Sequence, residues 1–240
     1  MVKERAAQNL RERLAGNAYP GRGIVLGRSM GGEWVQVYWI MGRSANSRNR
    51  VLAWEDGVLR TRAANPSKMA DPSLIVYSAM RASGRRYLVS NGAQTDALWA
   101  GMERGKGFVE SLREWRHEPD APHYTPRISG MIDLDREEAW LAIIRASPFG
   151  AGHSEQHFFR YQYVEPGYGY AITTYQGDGE PLPPFEGSPY LLTLEGEPGE
   201  AGARLWEALD EDNRISLAVR CIDPAGEEVR VEIINKYQSV

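Results

Sequence analysis

Five polar side chains occupy seven positions in Ser90-Asn91-Gly92-Ala93-Gln94-Thr95-Asp96, around one glycine that lets the backbone turn. A pocket that reads a polar ligand needs that variety, because each ligand atom taken from water wants a partner. The same residues also make an Asn-Gly turn with a Thr or Asp helix cap, and the segment alone does not choose between the two.

Arginines gather in the expected loops. Tyr19-Pro20-Gly21-Arg22-Gly23 leads into one apolar run, and Arg43-Ser44-Ala45-Asn46-Ser47-Arg48-Asn49-Arg50 follows another. Guanidinium groups pair bidentately with phosphate oxygens, and Ser or Asn fills the remaining acceptors. A solvated loop has the same composition. Asn65-Pro66, the stretch from Asp71-Pro72 to Tyr77, and Thr125-Pro126-Arg127-Ile128 add polar groups beside fixed turns.

Several motifs fail on spacing. Gly101 to Gly107 holds Gly105-Lys106 but lacks the gap and the Ser/Thr of a phosphate loop. Gly21 to Gly27 lacks dinucleotide-fold spacing. His153 and His157 are four apart, but one follows a glycine-rich turn and the other enters an aromatic strand, so they do not form a helical zinc pair. No metal site is expected. Cys221 lies in an alternating apolar run and suits a core thiol better than a nucleophile.

The positioning elements follow from periodicity. Val2, Ala6, Leu10 and Leu14 define an amphipathic helix over 2–15, stopped near Gly16-Asn17. Strands are expected at 23–27, 34–41, 51–55, 58–62 and 85–89, the third and fourth joined by an Asp56-Gly57 turn. Helices are expected at 73–83, 94–104, 107–115 and 199–210. Further strands are expected at 139–146, 156–164, 168–174, 190–195, 214–222 and 227–234. Many antiparallel-type strands with grouped helices indicate an α+β layered domain.

Composition narrows the class. The 42% apolar fraction, with seven Trp and twelve Tyr, supplies a large core for 240 residues. A net charge of −4 gives no basic footprint for nucleic acid. No run of about 18 apolar residues predicts a membrane span. The charged N-terminus does not read as a secretory signal, and one cysteine fits a reducing cytoplasm.

Taken together, Tyr19-x-Gly-Arg22, Arg43-Ser44 through Arg48, Asn65-Pro66, the Asp71-to-Tyr77 region with Arg81, Val89 to Asp96, and Thr125-Pro-Arg-Ile128 resemble the archaeal-type IMP cyclohydrolase family. They occur in the family's order and cover about the first half of the chain. Beyond about residue 135 the likeness fades, and residues 1–17 lie outside it as a helical extension to a single domain over 18–240. The resemblance implies a four-layer αββα sandwich like that of the N-terminal nucleophile hydrolases, without the N-terminal nucleophile. It implies a cytoplasmic enzyme of purine biosynthesis that closes 5-formamidoimidazole-4-carboxamide ribonucleotide (FAICAR) to inosine monophosphate (IMP). It implies no cofactor, no nucleic-acid partner and no membrane, and a homo-oligomer is left open.

By position in those motifs, Arg48, Tyr77 and Glu118 are the expected catalytic residues. Arg22, Arg43, Ser44, Asn65, Ser90, Asn91, Gly92, Thr95, Asp96 and Arg127 are the expected substrate-binding set. Each has a plain alternative: a core tyrosine for Tyr77, a helix cap for Asp96, a surface carboxylate for Glu118. Two rival functions use the same residues. A non-catalytic purine-ribonucleotide binder would keep the arginines and the turn, whereas an amide hydrolase would need an activated nucleophile that the chain does not display.

Overall fold

The computed structural model describes residues 1–68, 75–226 and 229–238. Its elements run α1 (Val2–Asn9, continued as a π-helical turn over Leu10–Ala15), β1 (Gly23–Arg28), β2 (Trp34–Met41), α2 (Ala45–Arg48), β3 (Val51–Glu55) and β4 (Val58–Arg62). A short 3-10 turn, Pro66–Lys68, precedes β5 (Ser78–Ser83), β6 (Arg86–Ser90), α3 (Gln94–Glu103), α4 (Phe108–Leu112), β7 (Arg127–Asp133), β8 (Glu138–Ser147) and β9 (Gly150–Tyr161). The chain closes with β10 (Tyr168–Thr173), β11 (Tyr190–Thr193), α5 (Pro198–Ala208), β12 (Arg214–Ile222) and β13 (Val229–Asn235).

The strands form two antiparallel sheets. One is ordered β11-β10-β1-β2-β12-β13 and the other β3-β4-β5-β6-β7-β8-β9. The fold is mixed α+β. All eight residues of β2 are buried, as expected of an apolar run covered on both faces. The sheets meet where β1 lies on β7 and β8, and β2 on β6. Gly130 in β7 permits that approach, since a Cβ there would lie 3.0 Å from Leu26 and 3.1 Å from Val89. Arg220 of β12 also spans the sheets, donating to Gln36 Oε1 (2.8 Å from Nε) and to the Leu88 carbonyl (2.9 Å from Nη2). Burial pulls its guanidinium pKa down to about 9.

Helices cover the outer faces. Leu98, Met102, Phe108 and Leu112 of α3 and α4 pack on Leu88, Met131, Ala142 and Ile144 of the seven-stranded sheet. On the other sheet α5 seats Gly202 so near β12 that a Cβ would lie 2.4 Å from Val219. The N-terminal helix packs beside β11, where Asn9 Nδ2 donates to the Leu191 carbonyl at 2.8 Å. Its Leu14 joins the main core.

Two expectations need correction. The helix expected over 73–83 is not there: Ser78 to Ser83 form β5, with Met80 opposite Val89. Apolar spacing around Val76, Tyr77 and Met80 is ambiguous over so short a run, and pairing between β4 and β6 decides it. Asp71, Pro72, Ser73 and Leu74 lie outside the described residues. The second correction is β7, a fully buried strand for which no strand was expected. Its Ser129-Gly130 pair suggests a turn, yet the glycine serves sheet packing.

Candidate active site

Arg22, Glu118 and Arg127 form the centre of the site. Arg22 precedes β1, Arg127 begins β7, and Glu118 lies in the loop between α4 and β7. That loop folds back on itself, the Glu118 N–H donating to the Thr125 carbonyl at 2.9 Å. Arg22 Nη2 meets Glu118 Oε2 at 3.1 Å, and Arg127 Nη1 lies 3.8 Å from Glu118 Oε1. The carboxylate is only 2% exposed, so two guanidiniums offset the cost of burying it. Burial works against the Arg22 charge. Glu118, Tyr77 and Tyr38 more than offset it, holding the guanidinium well above its ordinary pKa. For Arg127, at the longer distance, burial wins and its pKa falls.

The Ser-Asn-Gly turn is the bracket for this trio. Ser90, Asn91, Gln94 and Thr95 are fully buried and their polar atoms are used within the protein. Asn91 Nδ2 donates to the Pro126 carbonyl (2.9 Å), while Asn91 Oδ1 accepts from Ile128 N (2.9 Å) and Gln94 Nε2 (2.8 Å). Ser90 and Thr95 hydroxyls bond each other, and Thr95 Oγ1 donates to the Gly92 carbonyl at 3.1 Å. The turn then reaches both arginines: Arg22 Nη1 donates to the Asn91 carbonyl (3.1 Å) and Arg127 Nη1 to Gln94 Oε1 (3.0 Å). Asp96, in the first turn of α3, faces away and pairs with Arg81 at 2.6 Å.

Arg22 and Glu118 line a cavity of about 390 Å³, within the roughly 300–1,000 Å³ of small-ligand sites. Arg43, Ser44, Ser47 and Arg50 also line it, as do Tyr19, Tyr175, Asp120, His123 and Thr125. Ser44 caps α2, its Oγ accepting from the Ser47 N–H at 3.1 Å. Arg43 Nη1 meets Asp178 Oδ1 at 2.5 Å and lies over the Tyr19 ring. Arg50 is 5% exposed and donates from Nε to the Ser47 carbonyl at 2.7 Å. His123 Nδ1 accepts the Leu182 N–H at 3.2 Å, which leaves Nε2 carrying the proton in the neutral ring. Tyr175 OH shares a 2.5 Å bond with Thr125 Oγ1, and burial raises both the Tyr19 and Tyr175 hydroxyl pKa values. Among the described residues no three His, Cys, Asp or Glu side chains are grouped to hold a metal ion.

A family model described as IMP cyclohydrolase-like protein matches residues 19–227. The chain belongs to the IMP cyclohydrolase-like family. Proteins named IMP cyclohydrolase from three archaea are similar to it. That of Methanopyrus kandleri is 28% identical over 160 residues, covering 65% of this chain and 75% of its own. That of Methanothrix thermoacetophila is 29% identical over 208 residues, covering 84% of this chain and 98% of its own. That of Haloquadratum walsbyi is 27% identical over 131 residues, covering 53% and 62%.

The residues expected from the family motifs therefore divide. Arg22, Arg43, Ser44 and Glu118 line the cavity, with Arg127 behind Glu118. Ser90, Asn91, Gly92 and Thr95 stand one step back. Tyr77 is buried with its hydroxyl 2.6 Å from that of Tyr38. Burial, then the neighbouring Tyr77, pushes the Tyr38 hydroxyl well above its usual pKa. Arg48 is not in the lining: its Nε donates to the Gly42 carbonyl (3.0 Å) and its Nη2 to Asn213 (3.2 Å). Asn65 exchanges bonds with Asn49 and caps a turn through Ser67. Sequence reasoning missed Arg50, Asp120, His123, Tyr175 and the Arg43 partner Asp178.

Proposed function

We propose that this member of the IMP cyclohydrolase-like family closes FAICAR to IMP in the Arg22–Glu118 cavity. The observation that carries the proposal is a buried carboxylate under two guanidiniums in a cavity that Arg43 and Arg50 also line. Arg43, Ser44, Ser47 and Arg50 suit a phosphate. Glu118 and Arg22 suit a carboxamide and a formyl group, since Glu118 accepts N–H bonds and Arg22 donates to an oxygen.

The reaction joins the carboxamide nitrogen to the formyl carbon of the same molecule. The nitrogen loses a proton and the formyl oxygen gains one, giving a ring hydroxyl. That hydroxyl leaves as water with the proton of the former formamide nitrogen, so the steps balance without a redox partner. Because both reacting groups belong to one molecule, holding them in contact supplies much of the rate. Arg22 is placed to stabilise charge on the formyl oxygen. Glu118 holds Arg22 and Arg127 and takes the carboxamide N–H as its hydrogen-bond partner. Tyr77 acts from behind the lining, through the Tyr38 hydroxyl pair beside Arg22, as a positioning residue. In this reading Arg50 takes the anion-facing role that motif position gave to Arg48.

The same reading takes residues 1–17 as an extension and 18–240 as one domain, working in the cytoplasm. It also takes the two sheets and their outer helices as the four-layer order of the N-terminal nucleophile hydrolases. The test is to mix purified protein with FAICAR and follow the purine ring absorbance. Conversion to IMP is expected. Tight IMP binding with no conversion would favour a non-catalytic purine-ribonucleotide binder.

A further inference from the structure

A second cavity, larger than the first at about 570 Å³, opens on the outer face of the seven-stranded sheet, under the α3–α4 connection. Its floor is apolar: Phe108, Trp140, Met102 and Met131. The Trp140 indole N–H is already bonded to Glu138 Oε1 at 2.8 Å, so its ring offers a flat, non-polar surface. Phe108 lies beside it with ring centres 6.1 Å apart.

The charges around this floor are unequal in what they have left to give. Asp133 is 1% exposed and already accepts from Arg86 Nε (3.2 Å) and from the Asp135 N–H (3.1 Å). Glu138, just below, is taken up by Trp140 and Arg160. On the rim, Arg113 is exposed and its guanidinium has no hydrogen bond or ion pair among the described residues. Among the described residues the Lys106 side chain meets only Glu110, at 3.7 Å, and that of Arg136 only Glu138, at 3.9 Å. Glu110, also on the rim, balances Lys106, so the excess charge is positive through Arg113 and Arg136, set around a flat apolar floor. A ligand that buries an aromatic body and presents an anion to the rim matches both features.

We infer that this second cavity is a binding site for a small planar aromatic anion, separate from the Arg22–Glu118 cavity. The two sites share a frame. β6 runs from Arg86 in the second cavity to Ser90, beside the Asn91 carbonyl that holds Arg22. β7 runs from Arg127 at the first cavity to Asp133 at the second.

The test titrates native protein with 8-anilinonaphthalene-1-sulfonate, an aromatic anion with a planar naphthalene body, by calorimetry and fluorescence. The comparison is the rim variant Lys106→Glu/Arg113→Glu, whose positions are exposed and outside the core. The control is Arg5→Glu/Arg11→Glu, an equal charge change on the exposed N-terminal helix. The inference expects the rim variant to bind at least about tenfold more weakly, with the control unchanged. Equal affinity in wild type and rim variant would overturn it, as would an equal loss in both variants, which would reduce the effect to net charge.

Discussion

Replacing Gly92 with alanine tests whether the Ser-Asn-Gly turn works through the arginines. Gly92 does not have a left-handed φ, so alanine meets no backbone penalty. Its Cβ would stand 2.7 Å from Arg127 Nη1, 2.8 Å from Gln94 Oε1 and 3.6 Å from Glu118 Oε1. Ordinary contact begins near 3.4 Å, so a Cβ at 2.7 Å forces Nη1 back by about 0.7 Å. The 3.0 Å bond from Arg127 to Gln94 is then lost, and the Arg127–Glu118 pair loosens. A hydrogen bond to a charged group is worth about 1.5–3 kcal/mol, which corresponds to roughly ten- to hundredfold in rate. The fold itself loses less, because alanine restricts the unfolded chain and returns about 0.4–1 kcal/mol. Steady-state cyclisation should show kcat/KM lower by about ten- to hundredfold, while the unfolding free energy from urea titration falls by only about 0.5–2.5 kcal/mol, the difference of those two effects. Wild-type turnover in Gly92→Ala would refute the bracket role.

Four further outcomes follow from the same geometry. Glu118→Gln should abolish cyclisation and lower unfolding free energy by about 3–5 kcal/mol in urea titrations, because Arg22 and Arg127 would be left buried without an anion. Arg50→Ala should weaken IMP binding in calorimetry by about tenfold or more, whereas Arg48→Ala should stay within a few-fold, since Arg48 points to Gly42 and Asn213. Asp178→Asn should tighten IMP binding, because the carboxylate now holding Arg43 at 2.5 Å competes with a ligand phosphate. Tyr38 has a raised folded-state pKa, so its contribution to stability is whole below the unfolded value of about 10 and is lost as pH rises beyond it. Tyr38→Phe should therefore flatten the fall in stability measured by urea titration above that pH.

Where local pattern and tertiary pairing agree, the fold is readable in the sequence. The run Trp34 to Met41 and the Asp56-Gly57 hairpin appear as expected, because an unbroken apolar stretch and a left-handed turn each have one good solution. The β5 segment reads locally as a helix and the β7 segment as no regular element, yet both are strands. Their strand character comes from partners that the local pattern does not show: Val89 opposite Met80 across the β5–β6 hairpin, and Leu26, distant in sequence, against Gly130. The site follows the same logic. Arg22, Arg43 and Glu118 stand near recognisable turns, but nothing local separates Arg50 from Arg48 in a loop holding both. Tyr175 reaches the cavity, and Asp178 reaches Arg43, because the segment after β10 returns beside β1. The turn at Ser90 to Asp96 was legible as important, but not as buried. Full burial of its polar groups makes it a holder of arginines, with its own bonds already made.

The most direct measurement is a crystal structure with IMP bound. The account predicts the purine carbonyl beside Arg22 and Glu118 and the phosphate against Arg43 and Arg50, with Asp178 displaced from Arg43. IMP bound elsewhere, with the Arg22–Glu118 cavity left empty at saturating ligand, would contradict it.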